Sequence, residues 1–209
     1  MLTDAQIDRY SRQIILPKVG GVGQERLLAA RVTLLAEIDD LTPALNYLVG
    51  AGVGTIHLDC PADTTGVDRI IAAMADLNPE VRIEPLSRPA GHEQTLVVLA
   101  ATNRIIGAAR GINESAVYSR AILARLGEPY MVAVLTSRPP CLACADTALL
   151  GAIERGGFAA PVAMVAAAET IKCLLADAPQ PSRLIEFSGY ESRSTRLDTP
   201  EHAGCSRCA

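Results

Sequence analysis

Two groups of residues in this sequence are of the right types and spacing to do chemistry. Cys141 and Cys144 stand in "CLAC", and Cys205 and Cys208 in "CSRC" near its end. Two such pairs supply four thiolates, the number that tetrahedral zinc needs, and each pair can bind through a tight turn. The pairs are farther apart than in a compact zinc finger, so a shared zinc would tie distant parts of the fold and hold a chain end in place. Two unrelated CxxC turns, or a redox pair, are the alternative. A closed site of four cysteines has no open position for substrate, which makes it structural. Cys173 lies in an apolar helical run and reads as core. The second group is Glu37, Asp39 and Asp40, in "LLAEIDDLTPALNYLVGAGVG". A strand lies before them and a helix after them, at a corner that often carries a glycine-rich loop for phosphate.

The elements that position these groups must come from a chain of 209 residues, enough for one domain with a substantial core. It is 49% hydrophobic and 20% charged, the composition of a globular protein. With 3% aromatics and no tryptophan, that core is built from Ala, Leu, Ile and Val. A net charge of −4 gives no reason to expect a nucleic-acid partner or an acidic membrane surface. No apolar run reaches a membrane-spanning length, and "MLTDAQIDRY" is too polar for a signal peptide. The expectation is a cytoplasmic protein, where six cysteines point to metal or thiol chemistry before disulfides.

Thr3 and Gln6 form a capping-box pattern that opens a short helix, and "QERLLAA" reads as a second. "RVTLL" reads as a buried strand, followed by a helix with Thr42 as N-cap and Pro43 as first residue. "GTIHLD", "EVRIEPL", "TLVVLA" and "PYMVAVL" read as strands. "VDRIIAAMADL", "ESAVYSRAILARLG" and "APVAMVAAAETIKCLLA" read as helices, and "SRLIEFSGYESRSTRLD" as two short strands around a turn. This alternation calls for an α/β fold: a mostly parallel sheet with helices on both faces, closed by antiparallel strands. The expected layout is a single domain, with N-terminal helices over 1–30, a core over 31–138 and a zinc and C-terminal region over 139–209.

In order along the chain, "RYSRQIILPKVGGVGQERLLAARV", "LTPALNYLVGAGVGTIHLD", "LNPEVRIE", "PPCLAC" and "CSRC" resemble the ThiF/MoeB/HesA family, bacterial relatives of the ubiquitin-activating enzymes. The resemblance implies a Rossmann-like fold, a homodimer and structural zinc on Cys141, Cys144, Cys205 and Cys208. It also implies adenylation, with ATP and magnesium, of the Gly-Gly terminus of a ubiquitin-like sulfur-carrier protein. Arg12 matches the family arginine that reaches a nucleotide across the dimer interface, and Asp59 lies within a residue of the carboxylate that holds the ribose. An ion pair anchoring the N-terminal helix is the alternative for Arg12, and an ordinary strand-end residue for Asp59.

The chemistry implied by the resemblance lacks its residues. The family's strand runs into a G-x-G-x-x-G loop, whose glycines let backbone amides approach phosphate. Here those positions are Ala36, Ile38 and Leu41. Glu37, Asp39 and Asp40 would face a triphosphate, and at ~6 Å and an effective dielectric of ~20 each unit-charge pair repels by roughly 3 kcal/mol. The same carboxylates are expected to satisfy amides and dipole at the helix N-terminus. The family lysine falls at about Gly66, and no lysine lies between Lys18 and Lys172. The family's magnesium aspartate has no counterpart after "TLVVLA", and no reactive cysteine lies between Ala145 and Gly157. The expectation is a degenerate member that binds neither ATP nor magnesium. It would act as a scaffold or dimer partner, working with a ubiquitin-like sulfur-carrier protein or an active family member. Two other readings stay open. One is a working adenylyltransferase with Arg104, Arg110 or Arg120 as substitute cations; the other is a small-molecule binder using the crevice at the strand ends.

Overall fold

The computed structural model describes residues 1–60, 65–86, 95–115, 118–136, 153–178, 180–188 and 191–196. Two helices, α1 (Asp4–Ile14) and α2 (Gly20–Ala29), precede β1 (Arg31–Ala36), α3 (Ile38–Ala51), β2 (Thr55–Asp59), α4 (Thr65–Leu77) and β3 (Arg82–Pro85). Then come β4 (Thr95–Ala100), α5 (Asn103–Ser115), β5 (Arg120–Arg125), β6 (Tyr130–Thr136), α6 (Ala159–Leu175), β7 (Arg183–Ser188) and β8 (Glu191–Arg196). The strands form one sheet in the order β3-β2-β1-β4-β5-β6-β7-β8. Strands β1 to β5 pair in parallel, and β6, β7 and β8 join antiparallel at one side.

Side chains along the central strands alternate between two apolar layers, as pleating requires. Leu34, Ala36, Val97, Leu99, Ile122 and Ala124 join one core with residues of α3, α4 and α6. Leu35, Leu96, Val98, Ala100, Ala121 and Leu123 join the other with Ile105, Ile106 and Ala109 of α5. Strands covered on both faces read as continuous apolar runs, and "TLVVLA" is buried throughout. Among the described residues, no helix is long and apolar enough to cross a membrane.

The motif segments at the N-terminal end converge on one structural joint. The capping box of Thr3 and Gln6 opens α1 as expected. Tyr10, 1% exposed, takes a hydrogen bond on Oη from Asn78 Nδ2 at 2.9 Å, and the same amide nitrogen donates to the Val49 carbonyl at 2.8 Å. Gly52 ends α3 in the left-handed region at φ 81°, and a Cβ there would meet the Tyr10 ring at 2.7 Å. Gln13 and Gln24 donate to the carbonyls of Gly50 and Ala51, each at 3.0 Å, satisfying acceptors that the last turn of α3 leaves free.

Three elements differ from the sequence expectation. The helix expected over "ESAVYSRAILARLG" is instead strand β5, because the "LGEP" turn at 126–129 returns the chain directly into antiparallel β6. The helix on that stretch of the chain lies earlier, as α5, in "NRIIGAARGINES". The third difference is at α3. Its first residue is Ile38, its N-cap is Glu37, and Pro43 sits inside it. Pro43 has no N–H to give to Asp39, and the helix opens on a tighter bond from Asp40 N to Glu37 O at 3.0 Å.

Candidate functional site

From β1 the chain moves outward through β2 to β3, then crosses back to place β4 on the other side of β1. The gap above the carboxyl ends of β1 and β4 is the topological switch point, where open sheets of this kind hold ligands. A cavity of about 340 Å³ lies there, lined by α3's first turn, Cys60, Ala101, Thr102, Arg104 and Arg155.

Between β1 and α3 there is one residue, Glu37. Ala36 is the last residue of the strand, Ile38 the first of the helix, and Leu41 a fully buried member of the core. The turn that glycines would leave open for phosphate is taken up by helix and by side chains. The expectation that the acids satisfy amides and dipole at the start of α3 holds in part: Asp39 and Asp40 are in its first turn, but the Glu37 side chain makes no capping hydrogen bond. Arginines hold two of them instead. Arg104, in the first turn of α5, donates from Nη2 to Glu37 Oε2 at 2.7 Å and from Nε to Oε1 at 3.2 Å; Thr102 adds its hydroxyl to Oε1 at 2.8 Å. Arg155, just before α6, donates from Nε to Asp40 Oδ1 at 2.8 Å. The Asp40 side chain is 3% exposed against 51% for Arg155. The hydrogen bond and charge of Asp40 raise the Arg155 pKa further above its ordinary value.

The electrostatic expectation changes accordingly. Two of the three carboxylates carry their own cations, and Asp39 alone makes no ion pair among the described residues. Three unpaired carboxylates would repel an anion more strongly than this arrangement does.

Of the residues expected to contact nucleotide, neither lines this cavity. Arg12 is on the exposed last turn of α1, without an ion pair among the described residues. Asp59 ends β2, half-buried, and burial raises its carboxyl above the ordinary range. Gly66 is in the first turn of α4. Thr102, in the segment where a magnesium aspartate is implied, serves Glu37. Among the substitute cations, Arg104 reaches the site but is held by Glu37. Arg120 begins β5, at the opposite end of the parallel strands, and the Arg110 side chain lies outside the described residues. Sequence reasoning missed Arg155, which has no motif around it and meets Asp40 across 115 positions of chain. Cys141, Cys144, Cys205 and Cys208 lie outside the described residues. Cys173 is 2% exposed, and burial pushes its thiol pKa up, as expected for core.

No family model matches the chain. The SAMP-activating enzyme E1 of Haloferax volcanii is 30% identical over 125 residues, which are 51% of this chain and 46% of that protein. The sulfur carrier protein adenylyltransferase of Thermus thermophilus is 27% identical over an alignment of 256 residues, covering 99% of this chain and 92% of that one. The adenylyltransferase and sulfurtransferase MOCS3 of Anopheles gambiae is 27% identical over 252, and this chain spans 56% of its length. In fold, Escherichia coli MccB with ATP superposes with a TM-score of 0.64 at 17% identity, over 99% of this chain and 75% of that one. PaaA gives 0.57 at 17% identity, over 94% and 75%.

Proposed function

We propose, for a chain that resembles the ThiF/MoeB/HesA family in sequence and in fold, a non-adenylating role as scaffold or partner in ubiquitin-like sulfur-carrier chemistry. One observation carries this reading. The phosphate corner is a single residue long, and its glycine positions are a strand end, a helix start and a core leucine. Backbone amides that wrap a phosphate need an open turn. The fold is kept, in the Tyr10–Asn78–Gly52 joint and the full sheet, while the features that handle triphosphate are absent from the sequence. Calorimetry with Mg-ATP on the purified protein tests the proposal: no binding up to millimolar nucleotide is expected, and saturable binding would refute it.

The partner side of the role has a surface available. Both phenylalanines of the chain, Phe158 and Phe187, meet in a tilted ring contact, and Tyr130 packs edge-on against Phe158. They line a cleft beside the antiparallel strands, with Phe158 40% exposed. The named relatives include a sulfur carrier protein adenylyltransferase and a SAMP-activating enzyme, which supports a carrier protein as the partner class. A homodimer through the N-terminal helices is part of the same proposal. Leu16, 51% exposed, and Tyr47, 50% exposed, line a groove with Leu27, Ile171 and Leu175, and Ile15 and Val22 are exposed apolar residues of the same N-terminal stretch. Structural zinc on Cys141, Cys144, Cys205 and Cys208 completes it, on the strength of the paired CxxC spacing.

The competing reading is an adenylyltransferase with a rearranged site, favoured by the arginines that do reach the cavity. Both are engaged by acids of the chain itself, so this reading requires those pairs to open.

A further inference from the structure

At the end of the sheet opposite the β1–α3 corner, β5 opens on Arg120 and β7 on Arg183. Ile122 and Ile185, two residues further along each strand, pack in the core on the α6 side. Both arginines therefore share the face that α6 covers. Glu169 and Cys173, one turn apart on α6, are buried there. Burial raises the Cys173 thiol, and the charges of Arg183 and Arg120 act against it, so both guanidinium groups lie near that residue. Glu169 is the one acid among these groups. Lys172 Nζ donates to its Oε1 at 2.6 Å and Arg183 Nη2 to its Oε2, so two cations share one carboxylate. The Arg120 side chain, partly buried, makes no ion pair or hydrogen bond among the described residues. Arg196 stands opposite Arg183 in the β7–β8 register, a pairing of like charges that works against the sheet. The negative end of the α6 dipole adds about half a charge to that of Glu169, which leaves Lys172, Arg183 and Arg120 with roughly 1.5 positive charges in excess.

We propose that Arg120, Arg183 and Lys172 form a site for a doubly charged tetrahedral oxyanion, sulfate or phosphate, at the foot of α6. The ion supplies the negative charge that Glu169 alone does not. Arg183 and Lys172 keep Glu169 and offer their remaining N–H donors, while Arg120 gives its whole guanidinium to the ion. Lys172 is 67% exposed and Arg183 21%, so the ion enters from the Lys172 side and meets the arginines further in. Bound there, it fastens α6 to the first residues of β5 and β7. The site goes beyond the scaffold reading and does not depend on it.

Sodium sulfate is the probe, titrated into the native protein at constant ionic strength, with chloride making up the difference. Calorimetry should show saturable binding, and the unfolding temperature should rise with sulfate but not with chloride. Arg120→Ala should weaken sulfate binding at least ~10-fold, the loss of a hydrogen bond to a charged group. Glu169→Gln removes a competing negative charge and should tighten binding; it decides the matter if Arg120→Ala does not fold. Lys18→Ala is the control, since it removes the same charge from an exposed position elsewhere and should leave the affinity unchanged. Phenyl phosphate distinguishes the two sources of such an ion. It displaces sulfate if the site takes an oxyanion borne on a larger molecule, and leaves sulfate bound if only the free ion fits. No stabilisation beyond that of chloride would overturn the site, as would native affinity in a folded Arg120→Ala variant or no tightening in a folded Glu169→Gln variant. An equal loss in Lys18→Ala would also overturn it, by showing an effect of net charge alone. Mg-ATP heat that survives Arg120→Ala would belong to the β1–α3 corner, so failure of this site and failure of the non-adenylating reading are told apart.

Discussion

Asp40 and Arg155 show what one ion pair does when one partner is buried and the other wet. The carboxylate is almost fully covered, and the structure gives it a guanidinium at 2.8 Å. Arg155→Ala would leave that charge in place with its hydrogen bond lost. Complete removal of a buried partner costs about 3–5 kcal/mol, and because Arg155 is half in water a loss of about 2 kcal/mol is expected here. Urea denaturation measures it, and adding Asp40→Asn should recover much of the loss. Glu169 on α6 gives a pH-dependent counterpart. Burial pushes its carboxyl up, but hydrogen bonds from Lys172 and Arg183, with their charges, outweigh this and hold it below the ordinary range. A folded pKa below the unfolded one adds stability above the unfolded value of about 4.3, and that stability is lost as pH falls through the folded value. The stability gap between the native protein and Glu169→Gln should therefore be widest near neutrality, begin to narrow below about pH 4.3 and close as pH falls through the folded value. A gap independent of pH would show that the ion pairs contribute nothing. At this scale the sequence displayed the carboxylates but not their partners. Ion pairs between residues 65 or more positions apart leave no periodic signal.

The connection between β1 and α3 is where sequence reading and structure part most instructively. A Thr-Pro pair is a common helix start, and that rule placed the start of α3 at Thr42 and Pro43. Burial overrode it: Asp40 and Leu41 are drawn into the interior, and one extra turn of helix forms despite the missing donor at Pro43. The misread at β5 has a similar cause, since a six-residue apolar strand with flanking arginines has no period that excludes a helix. By contrast "TLVVLA" and the capping box were legible, because burial on both faces and a cap each have a direct local cause. Gly54 carries the firmest element-scale prediction. A Cβ there would sit 1.8 Å from the Leu28 carbonyl, whose residue is fixed in α2 beside the start of β2. Gly54→Ala must push α2 away from the start of β2, and a loss of about 3 kcal/mol or more is expected in thermal or urea unfolding. A variant as stable as the native chain would mean that α2 is free to shift.

Taken whole, the molecule has an α/β fold like that of MccB, with a single residue between β1 and α3. Gln13 of α1 lines the same groove as the exposed Leu16 and Tyr47, which makes this the surface on which assembly is expected. Light scattering at micromolar concentration is expected to give a dimer mass, and Leu16→Glu should shift it towards monomer. A monomeric native protein would point to a different partner. Metal analysis should find about one zinc per chain, as one four-cysteine site binds a single ion, and Cys205→Ser should lose it. Titration of the native protein with Mg-ATP in a calorimeter reads out the corner between β1 and α3. A corner closed to phosphate predicts no binding heat up to millimolar nucleotide and background pyrophosphate exchange with any Gly-Gly carrier. Saturable binding, together with exchange that disappears in Arg12→Ala, would contradict it and establish the rearranged active site in its place.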